Sequence, residues 1–222
     1  MKYTKTHAAD GNIAFKVTFV DREWRGVCSD ETASYNINVA KKTWCEKQIG
    51  DVDNCRLPKY QDTSLLQSEF PCYDCRVLNS FEYFSGMAHG PVRDGEPLPS
   101  NKASVGKLAI FTSVKPEQPE ENRFVFAVAP ILTIEKHPVH EYDVFKCDSE
   151  QALIFREELR PLFWRSYFNA NKPESKKWNT GLFRYVPDAI AVDLLEQVVK
   201  RGKLPAKTMA RAEHLLSLVN FG

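Results

Sequence analysis

What these 222 residues lack sets the first limits on them. There is no GxSxG, no GxxxxGK[ST], no GxGxxG and no HExxH. The sequence therefore spells out no hydrolase nucleophile elbow, no phosphate cradle and no helical zinc-protease pair. Long apolar runs are missing too. None nears the ~20 residues that cross a bilayer, and the opening MKYTKTHAADGNIAF has no apolar core of secretory length. A cytoplasmic protein without a membrane partner is expected. Charge of one sign is also scarce: the net value is +1, so any attraction to polyanions must come from local clusters. Ten glycines and 13 prolines are too few for a disordered chain, and 43% hydrophobic with 27% charged residues is a globular composition. At this length a core can be stable without cross-links. No repeat or low-complexity tract is visible.

Six cysteines are present, and in a reducing compartment they are read as thiols or metal ligands rather than bridges. Cys72-x-x-Cys75 is a metal half-site, because two thiolates at this spacing can face one tetrahedral ion. No second CxxC or HxxxH follows it. Cys45 and Cys55 would complete a four-thiolate structural zinc site, with Cys28 and His89 competing for the same role. The plainer alternative is buried thiols acting as small apolar side chains. A thioredoxin-like pair fits less well, since no strand-to-helix pattern is read after Cys75.

Secondary-structure signals are uneven along the chain. Ile13, Phe15, Val17 and Phe19 alternate with Lys16 and Thr18, which predicts a strand. Tyr35, Ile37 and Val39 alternate again and predict its hairpin partner. From Lys41 to Ser100 the periodicity is poor, and a loop-rich stretch of that length inside a compact domain usually carries function or is pinned. Leu108–Val114 and Arg123–Ile134 are apolar runs rich in strand formers, separated by a Pro- and Glu-bearing loop at Lys115–Asn122, and they predict an antiparallel pair. Tyr142–Lys146 adds a short strand. Asp148-x-x-Gln151 has capping-box spacing and predicts a helix running to Leu159, ended by Pro161. Asp188 to Gly202 and Pro205 onward predict two helices.

The Gly-Lys, apolar strand, charged loop and second apolar strand of Val105–Lys136 resemble the centre of the PUA-like barrels, the group containing EVE, ASCH, YTH and SRA domains. The whole chain also resembles a group of bacterial proteins with similar PCY and TGLFRY stretches, here Pro71–Tyr73 and Thr180–Tyr185. The resemblance implies an α+β fold: a small mixed or antiparallel β-barrel with peripheral helices over residues 1–186, a loop-rich insertion at 41–104, and a C-terminal helical hairpin at 187–222. It also implies a nucleic-acid-binding module that reads a modified or flipped base of DNA or RNA, in bacterial defence or RNA metabolism. The expected aromatic pocket is made by Trp44, Tyr83, Phe84, His89, Trp178 and Asn179, where rings stack on the base and an amide meets its edge.

Between Phe155 and Tyr185 seven cations oppose three carboxylates, interleaved with eight aromatics. Cations neutralise phosphate and exposed rings stack on bases, which assigns Arg165, Lys176, Lys177 and Arg184 to the phosphates. The bland alternative turns the rings inward and leaves the cations as a solvated face. An enzyme of another class, a small metal-dependent nuclease or hydrolase using Cys or His with Asp and Glu, is the second reading. Its candidate acidic motif, Glu135-x-His137, departs from the usual Glu-x-Lys at the lysine.

Overall fold

The computed structural model describes residues 10–42, 45, 54–61, 70–88, 92–178, 181–200 and 204–220. In chain order the elements are β1 (Asn12–Lys16), α1 (Asp30–Ser34), α2 (Tyr73–Ser80), β2 (Glu82–Phe84), β3 (Leu108–Ser113), β4 (Phe124–Lys136), β5 (Asp143–Cys147), β6 (Leu153–Ile154), α3 (Phe163–Ser166), β7 (Phe183–Val186), α4 (Asp188–Lys200) and α5 (Ala206–Asn220). The chain forms two compact units, Met1–Val17 with Phe84–Gly222, and Thr18–Tyr83. The helical hairpin α4–α5 thus belongs to the same unit as the sheet, and the second unit begins and ends earlier than the expected insertion.

The first unit is built on a mixed sheet in the order β5-β4-β3-β1-β7, with β6 also on β4. β1 runs parallel to β3 and antiparallel to β7, while β3 and β4 form the antiparallel pair that their apolar runs predict. No ladder among the described residues joins the two ends of this order, so the sheet is open and the expected closed barrel is not formed. The physical reason lies in β4 and the helices. Over its 13 residues β4 first pairs β3, then shifts register after Ile131 and spends its second half on β5. One face is meanwhile covered by helices, which bury it without closure.

Every residue of β3 is buried, as befits a central strand with both faces covered. On the helix-covered face Ala14, Leu108, Ile110, Val125 and Val128 meet Phe163 and Trp164 of α3, Leu194, Leu195 and Val198 of α4, and Ala212, Leu215 and Val219 of α5. A second file of rings holds Phe15 against Phe111 and Phe145, with Phe126 beside Phe111. Burial of such side chains contributes about 1.5–3 kcal/mol each. Asn12, fully buried in β1, is satisfied: its amide donates to Val186 O and Asp188 Oδ1, and its Oδ1 accepts from Leu108 N.

Two elements differ from expectation. Residues 34–39 alternate in the sequence, yet they continue α1 into a π-helical turn, Tyr35–Val39, because Ser29 caps the helix at Thr32 N and no strand partner is supplied. The capping-box spacing at Asp148 is realised as a tight turn, Oδ1 accepting from Glu150 N and Gln151 N, but no helix follows. Leu153 instead pairs with Val128 in β6. A sheet ladder wins over a local cap when the apolar residues after it are needed in the core.

Candidate metal centre

Thr18–Tyr83 has little regular structure, and its described part is organised by cysteines. Cys72 is the N-cap of α2 and Cys75 lies in the first turn, with Cys75 N donating to Cys72 O at 3.1 Å. The segment before α1 is stitched to this helix by Gly26 N on Cys75 O and Leu78 N on Trp24 O. The Sγ atoms of Cys55, Cys72 and Cys75 all lie within 4.8 Å of one another, a cluster that could hold a metal ion. Cys28 and Cys45 line the same small cavity, together with Thr18, Asn36, Arg56 and Asp74. Of the six cysteines only Cys147, in β5, stands apart, and none is in a disulfide.

Four of these thiols, Cys28, Cys55, Cys72 and Cys75, are linked by hydrogen bonds. Hydrogen bonds from Cys72 and Cys75 hold the Cys55 thiol down at about 4. Cys72 is pushed up to about 12, first by that bond to Cys55 and then by burial. Bonds to Cys28, Cys55 and Cys72, then burial, raise Cys75 well above a free thiol. Thiols that share protons in this way are what an entering cation would displace, because metal binding releases ligand protons. Burial raises Cys45.

Asp74, between the two helix cysteines, is a buried carboxylate that the sequence reading passed over. Its Oδ1 accepts from Thr18 N at 3.1 Å and from the Tyr83 hydroxyl at 2.7 Å. Desolvation pushes it up to about 6. The clue to its role was its position inside the CxxC.

Of the six expected base-pocket residues the structure describes Tyr83, Phe84 and Trp178. Trp44, His89 and Asn179 lie outside the described residues. Tyr83 is buried, its ring edge-on to Tyr73 and its hydroxyl on Asp74. Phe84 is half-buried against Tyr142. Trp178 is 1% exposed, packed against Phe163, flanked by the guanidinium groups of Arg123 and Arg184, with Nε1 donating to Gly181 O at 3.1 Å. Arg184 is half-buried and also donates to Trp178 O. Arg165, Lys176 and Lys177 are exposed. The interleaved segment therefore turns Phe155, Phe163, Trp164, Tyr167 and Trp178 inward, and leaves Phe168 exposed among the cations.

No family model, no curated protein and no solved structure matches this chain. No helix among the described residues is long and apolar enough to cross a membrane.

Proposed function

We propose that the protein is a nucleic-acid-binding module whose Thr18–Tyr83 unit is organised around a structural zinc ion. The observation that carries the zinc half is the convergence of Cys55, Cys72 and Cys75. Sulfur donors suit zinc, iron–sulfur or copper(I) ions and not magnesium or calcium. Donor type also favours a structural ion over the hydrolase reading: a set of thiolates, here with Cys55 and Cys75 buried and Cys72 half-buried, is the pattern of closed sites, whereas catalytic zinc keeps a position open for water. Glu135, the acidic residue of the nuclease motif, has its carboxylate on Lys146 and Thr133. Metal analysis of the purified full chain tests this. One zinc per chain is expected, and a protein that carries no zinc and takes up none overturns it.

The nucleic-acid half is supported by the segment 165–177. Arg165, Lys172, Lys176 and Lys177 are exposed there against the single carboxylate Glu174, with the Phe168 ring 46% exposed. Cations at that spacing meet phosphates, and an exposed ring stacks on an unpaired base. A base reader built this way uses Phe168 in place of the enclosed Trp178. Replacing Lys176 and Lys177 together by Glu should lower the salt slope of oligonucleotide binding by about 2 and leave the thermal midpoint unchanged. An unaltered slope removes this face from the interface.

A further inference from the structure

Resting on the zinc reading, we infer that the fourth ligand is Cys28, and that Cys45, which the sequence spacing favours, is a fifth thiol outside the coordination shell. Zinc of this class takes four ligands in a tetrahedron, and five thiols line the cavity. Among the described thiols the choice lies between Cys28 and Cys45.

Cys28 is already bonded into the set, since the Cys75 thiol hydrogen-bonds to it as well as to Cys55 and Cys72. Its backbone is tied to the third ligand: Arg56, the residue after Cys55, donates from Nη1 to Cys28 O at 2.9 Å and pairs with Asp30. Cys28 and the Cys55 segment are thereby tied together in the wall of the cavity that Cys72 and Cys75 also line. Asn36 Nδ2 stands 4.0 Å from Cys28 Sγ and 3.3 Å from Phe19 O. An amide N–H aimed at sulfur is the outer-shell partner that orients a ligating thiolate. Among the described residues no comparable bond ties Cys45 to the other thiols or to the chain around Cys55. Binding one Zn²⁺ to Cys28, Cys55, Cys72 and Cys75 yields a tetrathiolate of charge −2 and delivers to solvent the protons those four groups carried, with no redox change. The Arg56 guanidinium in the cavity wall offsets part of that charge.

The test loads the full chain with Co²⁺, whose thiolate-to-metal absorption counts sulfur ligands. Cys45→Ser should keep the parent spectrum and one ion per chain. Cys28→Ser should bind more weakly and lose about one quarter of the charge-transfer intensity, three sulfurs replacing four. The opposite pattern, with Cys45→Ser losing intensity and Cys28→Ser unchanged, overturns the assignment while leaving the zinc reading standing. A parent that binds no cobalt removes both. Should Cys28→Ser not fold, alkylation of the zinc-loaded parent in mild denaturant decides. Cys28, Cys55, Cys72 and Cys75 should label only after chelation, and Cys45 before it. Cys28 labelling before chelation sinks the proposal.

Discussion

The two units bury different chemistry. The sheet unit packs Phe15, Phe111, Phe126, Phe145, Leu108 and Ile110 at 1% exposure or less, with helices α3 to α5 over one face. Among the described residues of Thr18–Tyr83 the buried side chains include Cys28, Cys45, Cys55, Cys75, Thr18, Thr32, Asn36, Asn54 and Asp74, mixed with Val20, Trp24, Phe70, Val77, Leu78, Phe81 and Tyr83. The first has area to bury and is held by the hydrophobic effect. A unit of about 66 residues whose interior mixes apolar side chains with thiols and polar groups has less of that to draw on, and units of this size are commonly completed by a metal. Under the zinc reading, stability in one place is spread over many contacts and in the other leans on a few sulfur atoms.

The largest expected effect breaks that contrast open. Structural zinc contributes on the order of 10 kcal/mol of folding free energy in small thiolate domains. Stripping metal with a strong chelator should therefore raise hydrogen exchange throughout Thr18–Tyr83 while β1, β3 and β4 stay protected. Mass-resolved exchange on the full chain reads both units at once. Equal protection with and without chelator would mean that the cysteine cluster holds its unit as packed thiols.

The same contrast explains what was legible in the sequence. Period-2 and apolar-run patterns report burial against a sheet, so β1, the β3–β4 pair, β5 and the two C-terminal helices could all be read from residue order. Closure could not be read, because the split of β4 between β3 and β5 depends on a register shift near Ile131 that leaves no mark in hydropathy. The Cys72–Cys75 half-site was visible by spacing and Cys55 by count. For a fourth thiol the sequence pointed to Cys45 ahead of Cys28, because residue order does not show the contacts of Arg56 and Asn36 with Cys28. The aromatic and basic segment 155–185 was the hardest: composition cannot say that Trp178 faces the core and Phe168 does not.

Trp178 sharpens the contrast from the apolar side. Removing a fully enclosed indole leaves a cavity costing about 3–5 kcal/mol, so Trp178→Ala should lower the denaturant midpoint strongly. Phe168→Ala, at an exposed ring, should stay within about 0.5 kcal/mol of the parent. If Trp178→Ala instead abolished oligonucleotide binding with its midpoint intact, the indole would be a recognition wall, and the inward packing would have to open in solution.

The smallest effect is electrostatic and tests whether the sheet unit also depends on a polar fastening. Asp143, at the start of β5, accepts from Ser100 N at 3.0 Å and from the Ser100 hydroxyl, and its Oδ1 lies 2.7 Å from Lys136 Nζ. Burial alone would raise its carboxyl, but the bonds from Lys136 and Ser100 outweigh that and hold it below the ordinary value of 3.8. A depressed carboxyl stabilises the fold fully above its unfolded value, and that contribution is lost as pH falls through the lower folded one. The parent should lose about 1–3 kcal/mol between roughly pH 5 and pH 2 that Asp143→Asn never had. Denaturant midpoints of the two proteins should converge in acid. A constant gap between them at all pH values would assign the cost of the substitution to packing, and leave the first unit as purely an apolar construction.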